Sequence, residues 1–161
     1  MTVAPLVAIE DLPPLLAPEA RLLGLDVGTK TIGMALSDVT RSIATPYDTV
    51  RRTKFTADAK LLLGVIAAQG VGALVIGLPI NLNGSEGPRA QSTRAFARSL
   101  AGHVAVPMVL WDERLSTAAV ERHLIEADAS HKRRAEVIDR MAAAYILQGA
   151  LDRLRRLAEL R

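Results

Sequence analysis

The chain has no cysteine, which excludes disulfide bonds and thiolate metal sites and fits a reducing compartment. No apolar run approaches the roughly 20 residues that a membrane-spanning helix needs, and the three histidines lack the spacing of a zinc site. Aromatic residues make up only 3% of the chain, so platforms on which single-stranded bases could stack are scarce. We therefore expect a cytoplasmic protein without a membrane partner, and recognition by backbone or shape if its partner is a nucleic acid.

Residues 1–20 lack lysine and arginine but carry three acids and four prolines. A signal peptide needs a basic start and an unbroken apolar segment, so this segment does not fit one. We predict a loosely ordered, proline-rich N-terminal extension over 1–20, with a partner-binding peptide as the alternative. Half of the 161 residues are hydrophobic, and residues 21–161 are enough for one globular domain.

Positive charge is concentrated in this predicted domain. The chain has 20 basic and 17 acidic residues, and without the three acids of 1–20 the balance is 20 against 14. Such a surplus attracts polyanions through counterion release, although many basic proteins bind no nucleic acid. Charge therefore permits a nucleic-acid partner without establishing one.

The apolar pattern alternates between strand and helix spacing. An antiparallel hairpin is predicted in "RLLGLDVG" and "TIGMALSD", followed by a strand in "SIATPYDTVRR", where Pro46 indicates a bulge or an exposed edge. The continuously apolar runs "GALVIGLP" and "VPMVLWDE" predict buried parallel strands. Helices are predicted from Lys54 to Gly70, from Pro88 to about Leu100, over "STAAVERHLIEA", and from about Arg134 to Leu157. This order predicts an α/β fold, a mixed five-stranded sheet with helices on both faces.

Acids at strand ends are the first candidates for a site, because active sites of such sheets form beyond the carboxyl ends of the strands. Asp26 closes the first strand, and the neighbouring Asp112 and Glu113 close the last one. Asp26 could instead accept backbone hydrogen bonds in the turn. The acidic pair could be negative charges at the start of a following helix, where the helix dipole stabilises them.

Asp139 lies on the last helix, on a side otherwise lined by Ala142, Ala143 and Ile146. That side would let the helix pack close to the sheet, and a carboxylate buried there needs a compensating partner or metal. The alternative is a structural ion pair with an arginine nearby in the sequence: Arg133, Arg134 or Arg140.

Three carboxylates from distant parts of the chain repel one another unless a divalent cation lies between them. Their oxygen ligands suit Mg²⁺ or Mn²⁺, and two such ions about 3.5–4 Å apart can activate a water and stabilise the leaving oxygen of a phosphodiester. We predict a catalytic metal site made of Asp26, Glu113 and Asp139, with Asp112 as the alternative to Glu113.

The hairpin "LDVGTKTIG" resembles the phosphate-binding hairpin of the actin, hexokinase and Hsp70 ATPases and equally that of RNase H-like nucleases. The ATPases need two such lobes, and 161 residues supply only one. Four blocks, "GLDVGTKTIGMALSD", "VIGLPINLNGSEGPRAQS", "WDERLSTAAVE" and "IDRMAAAYILQGALD", resemble the motifs of the YqgF/RuvX family in order and spacing, from Arg21 to about Leu154.

The resemblance implies an RNase H-like fold and a nuclease, with two roles attached to the family: maturation of the 5′ end of pre-16S rRNA and Holliday-junction resolution. Asp26 matches the acid of the first hairpin, Asp112 and Glu113 the acidic motif, and Asp139 the acid of the last helix. Better-known RNase H-like resolvases commonly carry an acid near the end of the fourth strand, whereas this strand ends in "IGLP". If this protein cuts a nucleic acid, its second acid must therefore come from the next strand.

Basic residues near these acids are predicted to contact the phosphates of a nucleic acid, and the protein loop after the fourth strand, rich in backbone donors, is a candidate anion site beside one of them. Each could also be an ordinary solvated surface charge. They are Lys30 in the hairpin turn, Arg89 after "NLNGSEGP", Arg114, and Lys132, Arg133 and Arg134 before the last helix acid.

Three functions remain open on the sequence. The first is cleavage of structured RNA at the 5′ end of precursor 16S rRNA, with the small ribosomal subunit precursor as partner. The second is cleavage of branched DNA, which needs two sites and so predicts a homodimer rather than a monomer. The third is a ribosome or RNA-binding factor without catalysis.

Overall fold

The computed structural model describes residues 5–115 and 132–160, with only the backbone described over 132–137. The strands are β1 (Arg21–Val27), β2 (Thr31–Ser37), β3 (Ala44–Arg51), β4 (Val71–Leu78) and β5 (Met108–Asp112). The helices are α1 (Phe55–Gln69), α2 (Pro88–Ala101) and α3 (Lys132–Glu159). The helix predicted over "STAAVERHLIEA" lies outside the described residues. No helix within the described ranges is both long and apolar enough to cross a membrane.

The five strands form one mixed sheet in the order β3-β2-β1-β4-β5. β1 pairs antiparallel with β2, and β2 with β3, as expected for consecutive strands joined by short turns. β4 and β5 are added parallel to β1 on its other side, each after a helical crossover or a longer connection. The predicted mixed five-stranded sheet is confirmed.

Local sequence explains where these elements begin and end. α1 stops at Gly70, which adopts the left-handed conformation (φ 63°) that glycine tolerates without a steric penalty. α2 begins at Pro88. Proline is favourable there because the N–H that it lacks would have no acceptor within the first turn of a helix. Pro46 lies on the edge strand β3, where the register shifts so that Tyr47 is an extra residue. Both expectations for Pro46, a bulge and an exposed edge, are therefore met.

The two faces of the sheet are covered by different helices. On one face, Leu62 of α1 and Phe96 and Leu100 of α2 belong to one buried apolar cluster. On the other face, Ile146 and Leu147 of α3 belong to a second cluster. The expected helices on both faces are confirmed, and the face under α3 is called the α3 face below.

Residues 5–20, for which the sequence suggests loose order, pack against the sheet in the structure. Met108 donates a backbone hydrogen bond to Pro5 (3.0 Å) and accepts one from Val7 (2.9 Å). Two short 3₁₀ turns follow, and Leu12 between them is fully buried in the α3-face cluster. The apolar residues interspersed with the prolines supply the surface that holds this segment in place.

Candidate active site

Asp26 lies near the carboxyl end of β1 and is buried, with 4% of its surface exposed. It shares the α3 face with Leu22, because residues four apart on a strand point to the same side. Its register partner on β2 is Gly33. On β4 its neighbour is Gly77, the residue after Ile76, which pairs with Leu25. The carboxylate therefore has a residue without a side chain on each side.

These glycines let the neighbouring elements come close to Asp26. A Cβ at Gly33 would lie 2.1 Å from the backbone carbonyl oxygen of Asp139, so α3 rests directly on the hairpin. Ala142 and Ala143 are buried in the same contact. The sequence-based expectation that the alanine-lined side of α3 packs closely on the sheet is confirmed.

Asp139 is half-buried at the edge of this contact. One of its carboxylate oxygens, Oδ2, accepts a short hydrogen bond from the hydroxyl of Thr31, the first residue of β2. The hydrogen bond ties α3 to the same hairpin that carries Asp26. The side chains of Arg133 and Arg134, considered above as alternative partners, lie outside the described residues.

The two acids at the end of β5, Asp112 within the strand and Glu113 directly after it, have different surroundings. Glu113 is buried (3% exposed), and its Cγ lies 3.3 Å from the position that a Cβ on Gly77 would occupy. Asp112 is partly exposed and accepts two hydrogen bonds from the Arg114 guanidinium, Nη2 to Oδ2 at 2.8 Å and Nε to Oδ1 at 3.1 Å. These bonds hold the pKa of Asp112 below its usual range.

Asp26 and Glu113 thus approach Gly77 from opposite sides on the α3 face, while Asp139 is engaged by Thr31. Across the described ranges, no three or more acidic or histidine side chains lie close enough together to hold a metal ion. The chemistry of the donor set fits a hard cation, since every predicted ligand is a carboxylate oxygen.

The basic residues predicted to contact nucleic acid lie on several different elements. Lys30 is exposed in the turn between β1 and β2, and Arg89 is exposed in the first turn of α2. Arg114 lies between Asp112 and the loop after β4, since its Nη1 is 3.7 Å from where a Cβ on Gly84 would be. The backbone of Lys132 to Arg134 forms the first turn of α3, and their side chains are outside the described residues.

The sequence analysis did not identify two residues that contribute to the site, Thr31 and Arg52. The hydroxyl of Thr31 donates a hydrogen bond to the carboxylate of Asp139. The Arg52 guanidinium donates to the carbonyl of Gly28, in the turn after Asp26. A signal for Thr31 was present, a hydroxyl residue directly after the "GTK" turn, whereas nothing near Arg52 in the sequence indicates its partner.

Comparisons with known proteins identify the family and the fold of this chain. The family model described as "RuvX: Holliday junction resolvase" matches residues 20–153. A relative from Paramagnetospirillum magneticum is 64% identical over 148 residues, which is 92% of this chain and 96% of the relative. One from Methylocella silvestris is 59% identical over 154 residues, 96% of each chain. Both carry the description "Putative pre-16S rRNA nuclease".

Solved structures with similar folds are much more distant in sequence. RuvC of T. thermophilus in complex with a Holliday junction substrate has a TM-score of 0.53 at 12% identity, over 84% of this chain and 96% of that one. The yeast mitochondrial Holliday junction resolvase Ydc2 has a TM-score of 0.54 at 13% identity, over 95% and 85%. These likenesses show the RNase H-like fold. The family model that matches residues 20–153, together with the relatives at 64% and 59% identity, shows that the chain belongs to the RuvX family.

Proposed function

We propose that this protein is a cytoplasmic nuclease that hydrolyses phosphodiester bonds at the 5′ end of precursor 16S rRNA. Relatives that are 59–64% identical over nearly their whole length carry the description "Putative pre-16S rRNA nuclease". The observation that supports the chemistry is the placement of two buried carboxylates, Asp26 and Glu113, around Gly77 on one face of the sheet. A buried carboxylate is costly unless a partner or a metal compensates its charge, so two of them on one face of the sheet are typical of a functional site.

In this proposal Asp26, Glu113 and Asp139 would hold Mg²⁺ or Mn²⁺ after moving closer together than they lie in this structure. A divalent ion bound there would supply a nucleophilic water at neutral pH and stabilise the leaving oxygen. Thr31 keeps the Asp139 carboxylate oriented toward the hairpin. Asp112 is assigned a different task, holding the Arg114 guanidinium beside the loop that follows β4.

The RNA would be bound through its phosphates by the basic residues around this face. Lys30 and Arg114 are closest in the chain to the acids, and Arg89 opens α2 behind the loop. The run of Lys132, Arg133 and Arg134 is proposed to contact the backbone at the start of α3. Contacts of this kind give affinity and register without reading the base sequence.

The test compares carboxylate variants on a labelled pre-16S rRNA leader, with Mg²⁺ or Mn²⁺ and after chelation. Asp26→Asn and Glu113→Gln should each lower cleavage by about 100-fold or more, because a neutral amide is a poor ligand for a hard cation. RNA affinity should stay within about twofold of wild type, since phosphate contacts dominate binding. Chelation should abolish cleavage, and added Mg²⁺ should restore it.

Two matched variants remove the same charge elsewhere. Asp48→Asn changes an exposed aspartate on β3, and Asp112→Asn changes the neighbour of Glu113. Both should cleave within a few-fold of wild type. Loss of activity in Asp112→Asn together with full activity in Glu113→Gln would show that the acidic pair has been assigned the wrong way round.

A four-way DNA junction in the same assay separates the alternatives. A dimer that cuts the junction through Asp26 and leaves the RNA intact would establish the resolvase function instead. Wild-type protein that binds the leader tightly but cuts neither substrate with either metal would identify a binding factor.

A further inference from the structure

The turn that joins β1 to β2 is held by a residue from outside the hairpin. The turn has its own hydrogen bond, from the Gly28 N–H to the Thr31 carbonyl (2.8 Å). Arg52, just after β3, adds two more: its Nη1 donates to the Gly28 carbonyl at 2.6 Å, and its backbone N–H donates to the Lys30 carbonyl at 2.8 Å. Two carbonyls of the turn, those of Gly28 and Lys30, are therefore engaged by Arg52.

Arg52 is itself fixed by groups from two helices. Its Nε lies 4.0 Å from Oδ2 of Asp58, a residue of the first turn of α1 that is only 1% exposed. The other oxygen of Asp58 accepts the backbone N–H of Thr53 at 3.1 Å. The guanidinium also lies 5.4 Å from the centre of the Phe96 ring of α2, within cation–π range. These contacts restrict the guanidinium to one position.

The turn held in this way connects two of the candidate catalytic acids. Asp26 lies two residues before Gly28, and Thr31 at the far end of the turn donates to Asp139. A movement of the turn therefore changes the placement of Asp26 relative to Asp139. A shift of about 1 Å in such groups can lower a rate by about 100-fold.

We propose that Arg52, oriented by Asp58, is a positioning residue that fixes the β1–β2 turn and so the spacing of Asp26 and Asp139. The role rests on the proposed nuclease function of that site. Arg52 acts from the face opposite α3, where Phe96 packs, so it fixes the turn from behind and leaves the α3 face to the acids.

The kinetic test uses Arg52→Gln, Asp58→Asn and the double variant in RNA cleavage. Arg52→Gln should lower kcat by about 10- to 100-fold, the range typical of residues that orient a ligand, with KM and RNA affinity within about twofold. Asp58→Asn should lower kcat less. The double variant should match Arg52→Gln, because Asp58 acts through Arg52. Lys54→Gln, which removes an exposed positive charge two residues away, should keep the wild-type kcat.

A second readout needs no catalysis. Amide hydrogen exchange at Gly28 reports its bond to Thr31, and Arg52→Gln should speed it at least about tenfold while the amides of the central strand β4 keep their protection. Unchanged exchange at Gly28, or a loss of RNA affinity with kcat intact, would overturn the positioning role. Faster exchange in a protein whose wild type cuts no RNA would instead refute the nuclease proposal and leave Arg52 as a structural clamp only.

Discussion

At the scale of single residues, two glycines determine how closely neighbouring elements can approach the acids, because glycine has no side chain. Gly33 and Gly77 flank Asp26 in the sheet, and each is in contact with an element that carries another candidate acid. At Gly77 the obstacle to a Cβ is the flexible end of the Ile146 side chain, 2.4 Å away. At Gly33 the obstacle is the backbone of Asp139, which can shift only if the whole of α3 moves.

Gly33→Ala should therefore destabilise the protein by about 1–3 kcal/mol or more, as expected for overpacking against backbone, and lower RNA cleavage as well. Urea unfolding and the cleavage assay measure the two effects. Gly64→Ala is the matched control: a Cβ there meets nothing within 4 Å, and in the middle of α1 it should stabilise by about 0.5–1 kcal/mol. Wild-type stability and activity in Gly33→Ala would contradict the close contact of α3 with β2.

At the scale of elements, the β2–β3 connection is organised by one carboxylate. Asp38 accepts the backbone N–H groups of Ser42 (2.8 Å) and Ile43 (3.0 Å) through Oδ1, and the hydroxyl of Thr40 through Oδ2. These donors hold the pKa of Asp38 far below its usual range. The ionised side chain thus sets the turn that leads into the edge strand β3.

The stabilisation from Asp38 should depend on pH in a defined direction. Because the folded-state pKa is lowered, the contribution is complete above the pKa of an unfolded aspartate, about 3.9, and declines as the pH falls from there toward the folded-state value. Asp38→Asn should accordingly unfold at a lower temperature than wild type at pH 7, and the gap should narrow below about pH 4. Thermal unfolding from pH 7 to pH 3 measures it. A gap of constant size would show that the charge of Asp38 has no part in the turn.

At the scale of the whole molecule, the hydrophobic core extends to residues before β1. Leu12 is fully buried in the same cluster as Leu22, Trp111 and Leu151, which come from the sheet and from α3. The proline-rich start of the chain therefore completes the α3-face core of the RNase H-like fold. The division between 1–20 and 21–161 stays a prediction from composition.

Leu12→Ala should cost about 2–5 kcal/mol in unfolding free energy, as buried leucines do, because it leaves a cavity beneath α3. Leu15→Ala, a change of the same size at a leucine that is 50% exposed, should cost less than about 0.5 kcal/mol. Urea unfolding of both variants gives the comparison. Equal small effects would mean that residues before β1 add nothing to the core.

The sequence by itself determined the order and type of the five strands and of the three described α-helices, because apolar period, glycine and proline act over a few residues. It also determined the family, since four motif blocks lie in order along one chain. It identified Asp26, the Asp112/Glu113 pair and Asp139 as candidate ligands, and that role stays a prediction.

The tertiary structure alone decided how these residues meet. Glu113 contacts Gly77, Thr31 donates to Asp139 across 108 positions, and Arg52 reaches back to the turn after Asp26. Each of these contacts joins groups that are distant in sequence. Pairing of β4 with β5 brings Glu113 to Gly77, and pairing of β2 with β3 brings Arg52 to the turn. The packing of α3 on the hairpin brings Asp139 to Thr31. The sequence around each residue does not indicate such partners, because strand pairing and the packing of α3 set the surroundings of each acid.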